Sequence, residues 1–248
     1  IGEAEEVWEQ ILLEVESRQL KQHYYNDKPT RLDKVPVLRW EFINQSNYLY
    51  TNIVYTSRGC PFKCEFCYNS CAYVHNCYRN RPIEDVLNDI KRLGTKHVMF
   101  IDDNFIGNIN WTKQLLKAIK PLKLTWNAAV SANIGMHLDL LDEMKESGCK
   151  SLFIGFESIN HESVQSVSKY QNSIESYEKL IKEIHKRGIM INASLVFGFD
   201  HDDSRVFEDT LDWLIKNKIE TMTAHILTPY PGTELFKRFQ AEGRIFDF

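Results

Sequence analysis

The sequence predicts an α/β fold in which a parallel β-sheet is covered by helices. Apolar segments of strand-like composition alternate with amphipathic, helix-like segments, and this alternation occurs six times between residues 48 and 243. Parallel strands are buried on both faces and need helical crossovers, so they give this alternation. The chain has 248 residues, 43% of them hydrophobic and 26% charged, which is enough to bury a core of this kind.

Two segments precede the alternation. The first residues are rich in acids and carry apolar residues at helical spacing, and we assign residues 1–25 to a helical segment. Residues 26–47 contain Pro29 and Pro36 and show no sustained period, which is typical of an extended linker. The chain does not begin with methionine, so we expect it to be part of a longer protein.

Six strand–helix units follow. The predicted strands are 48–57, 96–102, 124–131, 151–156, 189–199 and 221–228. The predicted helices are 81–94, 110–120, 138–148, 173–188, 204–217 and 233–243. β-Branched and aromatic residues mark the strands, and apolar residues three and four positions apart mark the helices. Pro82 opens the first of these helices and Gly94 ends it, as these residue types commonly do.

Periodicity does not distinguish a doubly wound open sheet from a curved, partial barrel. In both architectures the active site lies at the carboxyl ends of the strands. The residues at these predicted ends, most of them polar, are Arg58, Gly59, Cys60, Asp102, Asp103, Asn104, Ser131, Asn133, Glu157, Ser158, Asp200, Thr228, Pro229 and Tyr230. Loops are polar in most proteins, so two features stand out: the cysteines after the first strand and the consecutive acids Asp102 and Asp103.

The segment TSRGCPFKCEFC holds Cys60, Cys64 and Cys67 at spacings of four and three residues. A disulfide between cysteines this close is disfavoured by geometry. Structural zinc sites usually draw on two pairs of ligands, and the only nearby candidates for a second pair are His75 and Cys77. Three thiolates in a tight loop suit an iron–sulfur cluster. With three protein ligands, such a cluster keeps one iron open, as a catalytic metal requires.

Charge and composition exclude other classes of function. The net charge of −4 gives no support for nucleic-acid or anionic-membrane binding, and no apolar run is long enough to span a bilayer. The uneven distribution of the six cysteines is unlike a disulfide scaffold and indicates a reducing, cytoplasmic location. The predicted helices and strands contain Trp111, Trp126 and Trp213, and Cys149 lies at the start of the fourth strand unit. We expect all four residues to belong to the core.

The C-x-x-x-C-x-x-C motif after a first strand, with Phe66 before the third cysteine, resembles that of the radical S-adenosylmethionine (SAM) enzymes. The resemblance covers about residues 48–243 and implies a partial (β/α)6, TIM-like barrel. The segments FIDDNF, IGFES, FGFD and TPYPGTELF resemble the subgroup that carries an N-terminal cobalamin-binding domain. On this resemblance, residues 1–25 are the tail of that domain, 26–47 a linker, and 244–248 the start of a C-terminal extension.

The resemblance also implies roles for individual residues. Cys60, Cys64 and Cys67 would ligate a 4Fe-4S cluster that binds SAM and reductively cleaves it to methionine and a 5′-deoxyadenosyl radical. The further residues implied to contact SAM are Asp102, Asp103, Asn104, Ser131, Asn133, Glu157, Lys169, Ser194, Phe197, Thr228 and Tyr230. Two alternatives remain open at this stage: Asp103 as a helix cap and Lys169 as a solvated surface charge.

The reaction implied is methylation of an unactivated carbon or oxidative cyclisation, as in anaerobic Mg-protoporphyrin monomethyl ester cyclases or B12-dependent methyltransferases. The implied partners are a small-molecule, lipid or tetrapyrrole substrate and an external electron donor such as flavodoxin or ferredoxin. Cobalamin would be bound by a domain outside this chain. The alternative is a non-catalytic iron–sulfur or zinc module in which Cys71 or Cys77 supplies a fourth ligand.

Overall fold

The computed structural model describes residues 2–26, 28–71, 74, 77–167, 169 and 174–246. The strands are β1 (Ile53–Val54), β2 (Ser57–Arg58), β3 (Arg79–Asn80), β4 (His97–Phe100), β5 (Thr125–Ser131), β6 (Cys149–Glu157), β7 (Met190–Phe197) and β8 (Thr221–Ile226). The α-helices are α1 (Trp8–Glu16), α2 (Ile83–Leu93), α3 (Ile109–Ile119), α4 (Leu138–Glu146), α5 (His161–Gln165), α6 (Ile174–Lys186), α7 (Val206–Lys216) and α8 (Glu234–Ala241).

Six strands form one parallel sheet in the order β1-β4-β5-β6-β7-β8. This order follows the chain without reversal. Because parallel crossovers are right-handed, an unreversed order places all the crossover helices on the same face of the sheet. A doubly wound sheet needs a reversal, and the described strands contain none. The predicted partial (β/α)6 barrel is therefore confirmed, with β1 and β8 at its edges.

The core lies between the sheet and its helices. Near β4 and β5 it contains a group of packed aromatic rings. The ring centroids of Phe100 and Phe105 are 5.0 Å apart, and those of Phe105 and Trp126 are 5.4 Å apart. Trp126 is fully buried, and its indole N–H donates to the Ser147 carbonyl at 3.0 Å. Aromatic pairs at such distances contribute about 0.5–1.5 kcal/mol beyond their burial.

A second aromatic group lies under the later strands. The ring centroid of Phe156 is 4.8 Å from that of Tyr177 and 5.5 Å from that of Trp213. Trp111 and Trp213 pack against the core partly buried, and Cys149 is fully buried at the start of β6. The prediction that these residues belong to the core is confirmed.

The first strand is shorter than predicted. Residues 48–57 were predicted from their apolar and aromatic composition, yet only Ile53–Val54 pairs in the main sheet, with β4. Tyr48, Leu49 and Tyr50 are exposed by 56%, 85% and 54%. Strand propensity is realised only where side chains pack against neighbouring strands, and these three residues have no such packing.

Candidate active site

The three predicted cluster cysteines lie in the loop between β2 and β3, which we call the cysteine loop (59–78). Its ends are held together because β2 and β3 pair antiparallel, with Arg58 opposite Arg79. Gly59 opens the loop with φ of 81°, a conformation that glycine adopts without strain. A Cβ at Gly59 would overlap the carbonyl oxygen of Cys77 at the far end of the loop. The loop therefore closes tightly on itself.

The three thiols are shielded from solvent and are free of disulfides. Cys64 is buried, and Cys60 and Cys67 are half-buried. Burial raises the pKa of the Cys60 thiol to about 11, and the nearby Cys64 and Cys67 sulfurs add to this. Burial also raises the pKa of Cys67. Thiols in this setting ionise when a bound metal supplies positive charge.

The donor set fits an iron–sulfur cluster. In the described part of the chain, no three Cys, His, Asp or Glu side chains converge closely enough to hold a single metal ion. A cubane cluster has no such requirement, because its cysteines bind different iron atoms. Cys71 is fully buried, and His75 lies outside the described residues. Three cysteine thiols in one loop thus match a cluster better than a zinc ion.

Asp102, which follows β4, ties that strand to the segment before the cysteine loop. Its Oδ1 accepts hydrogen bonds from the Thr56 backbone N–H and hydroxyl, both at 2.9 Å, and from the Ser57 hydroxyl at 2.5 Å. Burial raises the pKa of this carboxyl. Its Oδ2 is buried and has no hydrogen-bond partner among the described residues. Oδ2 is therefore the carboxylate oxygen that is available for the predicted contact of Asp102 with SAM.

Asp103 accepts a hydrogen bond from the hydroxyl of Tyr68, the residue after Cys67. The alternative that Asp103 caps the next helix is wrong. The N-cap of α3 is Asn108, whose side chain accepts from the Trp111 backbone N–H at 3.1 Å. Asp103 instead couples the end of β4 to the cysteine loop.

Asn104, Ser131 and Asn133 form a hydrogen-bonded chain across the ends of β4 and β5. The Asn104 Nδ2 donates to the Ser131 Oγ at 3.1 Å, and the Ser131 Oγ donates to the Asn133 Oδ1 at 2.5 Å. Asn104 also reaches the Cys60 Sγ at 4.0 Å. Residues predicted from two separate segments are thus brought together beside the first cysteine.

Glu157 and Lys169 form a buried ion pair at the end of β6. Their side chains are 9% and 7% exposed, and the Lys169 ammonium also donates to the Gly155 carbonyl at 3.1 Å. Glu157 has φ of 67°, and the pairing of β6 with β7 shifts register between Gly155 and Glu157. The alternative that Lys169 is a solvated surface charge is wrong.

A cavity of about 890 Å³ lies beside the cysteine loop. Its lining residues are Phe66, Cys67, Tyr68, Phe153, Glu157, Ser194, Val196, Ala224, His225, Ile226, Leu227, Thr228 and Tyr230. Small-molecule pockets usually measure about 300–1,000 Å³, so this one has room for a cofactor and part of a substrate. Four of the predicted SAM contacts, Glu157, Ser194, Thr228 and Tyr230, therefore share one cavity with a predicted cluster ligand, Cys67.

Phe197 lies elsewhere. Its ring packs 5.1 Å from that of Phe207, and it lines an adjoining cavity of about 700 Å³ between β7, β8 and α7, which shares Ala224, His225 and Ile226 with the first cavity. Sequence reasoning also missed parts of the main cavity, among them Phe153, Val196 and Leu227. Val196 could have been predicted, because it lies two residues after Ser194 and therefore lies on the same face of the strand as Ser194.

The family model for the radical SAM superfamily matches residues 54–214 of this chain. The chain belongs to the radical SAM superfamily. This radical SAM chain therefore comes from a family that uses a 4Fe-4S cluster and SAM. The resemblance noted from the sequence is confirmed.

Two curated relatives carry the names of a methyltransferase and a cyclase. The bacteriochlorophyllide d C-12(1)-methyltransferase of Chlorobaculum tepidum is 32% identical over 100% of this radical SAM chain and 56% of its own length. The anaerobic magnesium-protoporphyrin IX monomethyl ester cyclase of Cereibacter sphaeroides is 23% identical over 84% of this chain and 36% of its own length. The chain thus spans about half the length of the first of these relatives.

One solved structure covers nearly the whole radical SAM chain. It is the cobalamin-dependent SAM radical enzyme OxsB with aqua-cobalamin and SAM bound, with a TM-score of 0.69 and 17% identity over 98% of this chain and 44% of OxsB. At that identity the likeness concerns the fold alone. Among the described helices, none has the length and apolar character needed to cross a membrane.

Proposed function

We propose that this chain is the catalytic core of a cobalamin-associated radical SAM methyltransferase. The observation that carries the proposal is that the cysteine loop opens onto the 890 Å³ cavity, with Cys67 in its wall. Cys60, Cys64 and Cys67 would hold a 4Fe-4S cluster. Bound cluster and SAM would supply a 5′-deoxyadenosyl radical or a methyl group in a cavity with strongly apolar walls.

The chain's own residues bind and orient SAM in this proposal. The methionine end of SAM carries one ammonium and one carboxylate. Glu157 lines the cavity, and Lys169, which is paired with Glu157, supplies a group of the opposite sign next to that wall. Polar contacts come from Ser194 on β7 and from Thr228 and Tyr230 in the segment after β8. Phe66 and the apolar residues of β6, β7 and β8 exclude water.

The substrate we propose is a tetrapyrrole. The 32% identical relative is named for methylation of a bacteriochlorophyllide, and the more distant one for a protoporphyrin cyclase. Oxidative cyclisation is the second candidate reaction. We further propose a cytoplasmic location, flavodoxin or ferredoxin as the electron donor, and cobalamin bound by a preceding domain, with residues 1–25 as its tail, 26–47 as the linker, 48–243 as the core and 244–248 as the start of a C-terminal extension.

Anaerobic reconstitution tests the proposal. The wild-type chain is expected to bind four irons and four sulfides, to change its cluster spectrum when SAM is added, and to form 5′-deoxyadenosine after reduction with dithionite. Cys64→Ala is expected to lose the cluster and the product. The matched control is Cys149→Ala, which removes a fully buried thiol outside the cysteine loop and is expected to keep the iron content.

The alternative, a structural iron–sulfur or zinc module with a fourth protein ligand, gives a different pattern. Cys71→Ala or Cys77→Ala would then abolish metal binding, whereas a three-cysteine site retains its iron in both variants. Zinc in place of iron, or a cluster whose spectrum ignores SAM, would overturn the proposed function.

A further inference from the structure

Two asparagine amides point at two of the cluster cysteines. The Asn69 Nδ2 donates toward the Cys67 Sγ at 3.8 Å, and the Asn104 Nδ2 toward the Cys60 Sγ at 4.0 Å. Asn69 lies in the short turn after Cys67, and Asn104 follows β4, so the two donors come from separate parts of the fold. Both side chains are buried, with 3% and 2% exposure.

The orientation of the Asn104 amide is fixed by its other contacts. Its Nδ2 also donates to the Ser131 hydroxyl at 3.1 Å, and its Oδ1 accepts from the Ser131 backbone N–H at 3.4 Å. A backbone N–H is only a donor, so the atom that accepts from the Ser131 N–H must be the amide oxygen. The amide nitrogen is therefore the atom that contacts the Ser131 hydroxyl and the Cys60 sulfur. Asn69 lies in the turn two residues after the cysteine whose sulfur its Nδ2 contacts.

We propose that Asn69 and Asn104 raise the reduction potential of the cluster bound by Cys60, Cys64 and Cys67, an inference that rests on the proposed function. Reduction brings one electron from the external donor and breaks no bond. The added negative charge is shared by the thiolate sulfurs, and an N–H group that donates to a sulfur stabilises it. Hydrogen bonds to the sulfurs are among the factors that set cluster potentials. The two asparagines are thus positioning residues that favour the reduced, SAM-cleaving state.

A redox titration followed by electron paramagnetic resonance tests this inference on the reconstituted chain. In Asn69→Leu and Asn104→Leu a side chain of similar size replaces the amide and the donor is lost. Each change is expected to lower the reduction equilibrium constant by about tenfold, which is 59 mV for a one-electron couple. The double variant should shift further, because the donors act on different sulfurs. The control is Asn80→Leu at the base of the loop, whose Nδ2 donates to the Tyr78 hydroxyl at 3.1 Å, and its potential should stay at the wild-type value.

The outcomes separate this inference from the proposed function. A wild-type chain that binds no cluster overturns both. If the wild-type chain binds the cluster but both leucine variants have the wild-type reduction potential, the inference alone is overturned. If the leucine variants lose their iron, the wild-type chain labelled with ¹⁵N only at the asparagine side-chain amide decides: magnetic coupling between these ¹⁵Nδ2 nitrogens and the reduced cluster supports the inference, and its absence overturns it.

Discussion

A single glycine determines how closely the cysteine loop closes. Gly59 and Gly94 both have positive φ, 81° and 64°, but their surroundings differ. A Cβ at Gly59 would overlap the Cys77 carbonyl oxygen, whereas a Cβ at Gly94 would have no heavy atom within 4 Å. A Cβ at Gly94 therefore adds backbone strain alone, whereas a Cβ at Gly59 adds backbone strain and a steric overlap.

Alanine at each glycine gives the prediction for this scale. Gly94→Ala should lower the free energy of unfolding by about 1 kcal/mol, because the left-handed conformation is unfavourable for a residue with a Cβ. Gly59→Ala also places a Cβ on a residue with positive φ and must in addition displace the chain at Cys77, so it should lower the iron bound per chain after reconstitution. Urea denaturation of the metal-free proteins and iron analysis measure the two effects. Equal iron content in the two variants would contradict this view of the loop.

At the scale of elements, the N-terminal segment braces the β2–β3 ribbon that closes the cysteine loop. The Glu3 carboxylate accepts from the Arg79 guanidinium at 2.5 and 2.9 Å, and Glu5 accepts from Arg58 at 2.5 Å. Arg58 and Arg79 lie opposite each other in the ribbon. The acids before α1 therefore hold the two strands between which the three cysteines lie.

The Glu3 contacts give a pH-dependent prediction. Burial raises the pKa of Glu3, but hydrogen bonds from Arg79 and from the Thr30 backbone N–H outweigh it and lower the pKa from 4.5 to about 2. A carboxyl whose pKa is lowered by folding stabilises the folded state fully above its unfolded pKa, and this stabilisation is lost as the pH falls toward the folded value. Glu3→Gln should therefore increase amide hydrogen exchange in the β2–β3 ribbon at pH 7, relative to the wild-type chain, and the difference should shrink below about pH 4.5.

Glu9→Gln is the control, because Glu9 is an exposed acid in the first turn of α1. It should leave exchange in the ribbon at the wild-type rate, once both proteins are corrected for intrinsic exchange at each pH. Equal effects of the two substitutions, or a Glu3 effect that persists unchanged at pH 3, would count against the brace.

The elements differ in how far the sequence predicts them. The helix predicted at 173–188 is α6, Ile174–Lys186, because apolar spacing and flanking residues act locally. The ribbon of β2 and β3 has two residues in each strand, and no local pattern marks it, since its strands pair across the whole cysteine loop.

The candidate site was also predictable only where a local pattern marks it. The three cysteines were predictable from their spacing, whereas the Glu157–Lys169 pair depends on a bulge and a following loop that only the folded chain brings together.

At the scale of the whole molecule, one edge of the barrel presents an apolar surface, which we call the α7–β8 face. On α7, Phe207, Leu211 and Ile215 are exposed by 62%, 55% and 67%, and their spacing of four residues places them in one stripe. On the edge strand β8, Met222 and Ile226 are exposed by 42% and 81%. An open strand edge beside a large apolar patch favours association between chains.

The chain studied by itself should therefore bind a hydrophobic dye and self-associate through the α7–β8 face. Leu211→Lys places a charge in the middle of the stripe and should reduce both dye fluorescence and the weight-average mass measured by sedimentation at equal concentration. Met136→Lys is the matched control, since Met136 is 73% exposed on a different part of the surface. Because Leu211 is half exposed and lies outside the cavity beside the cysteine loop, its substitution should leave the iron content unchanged. Equal reductions by the two lysine variants would show that net charge, rather than this face, controls association.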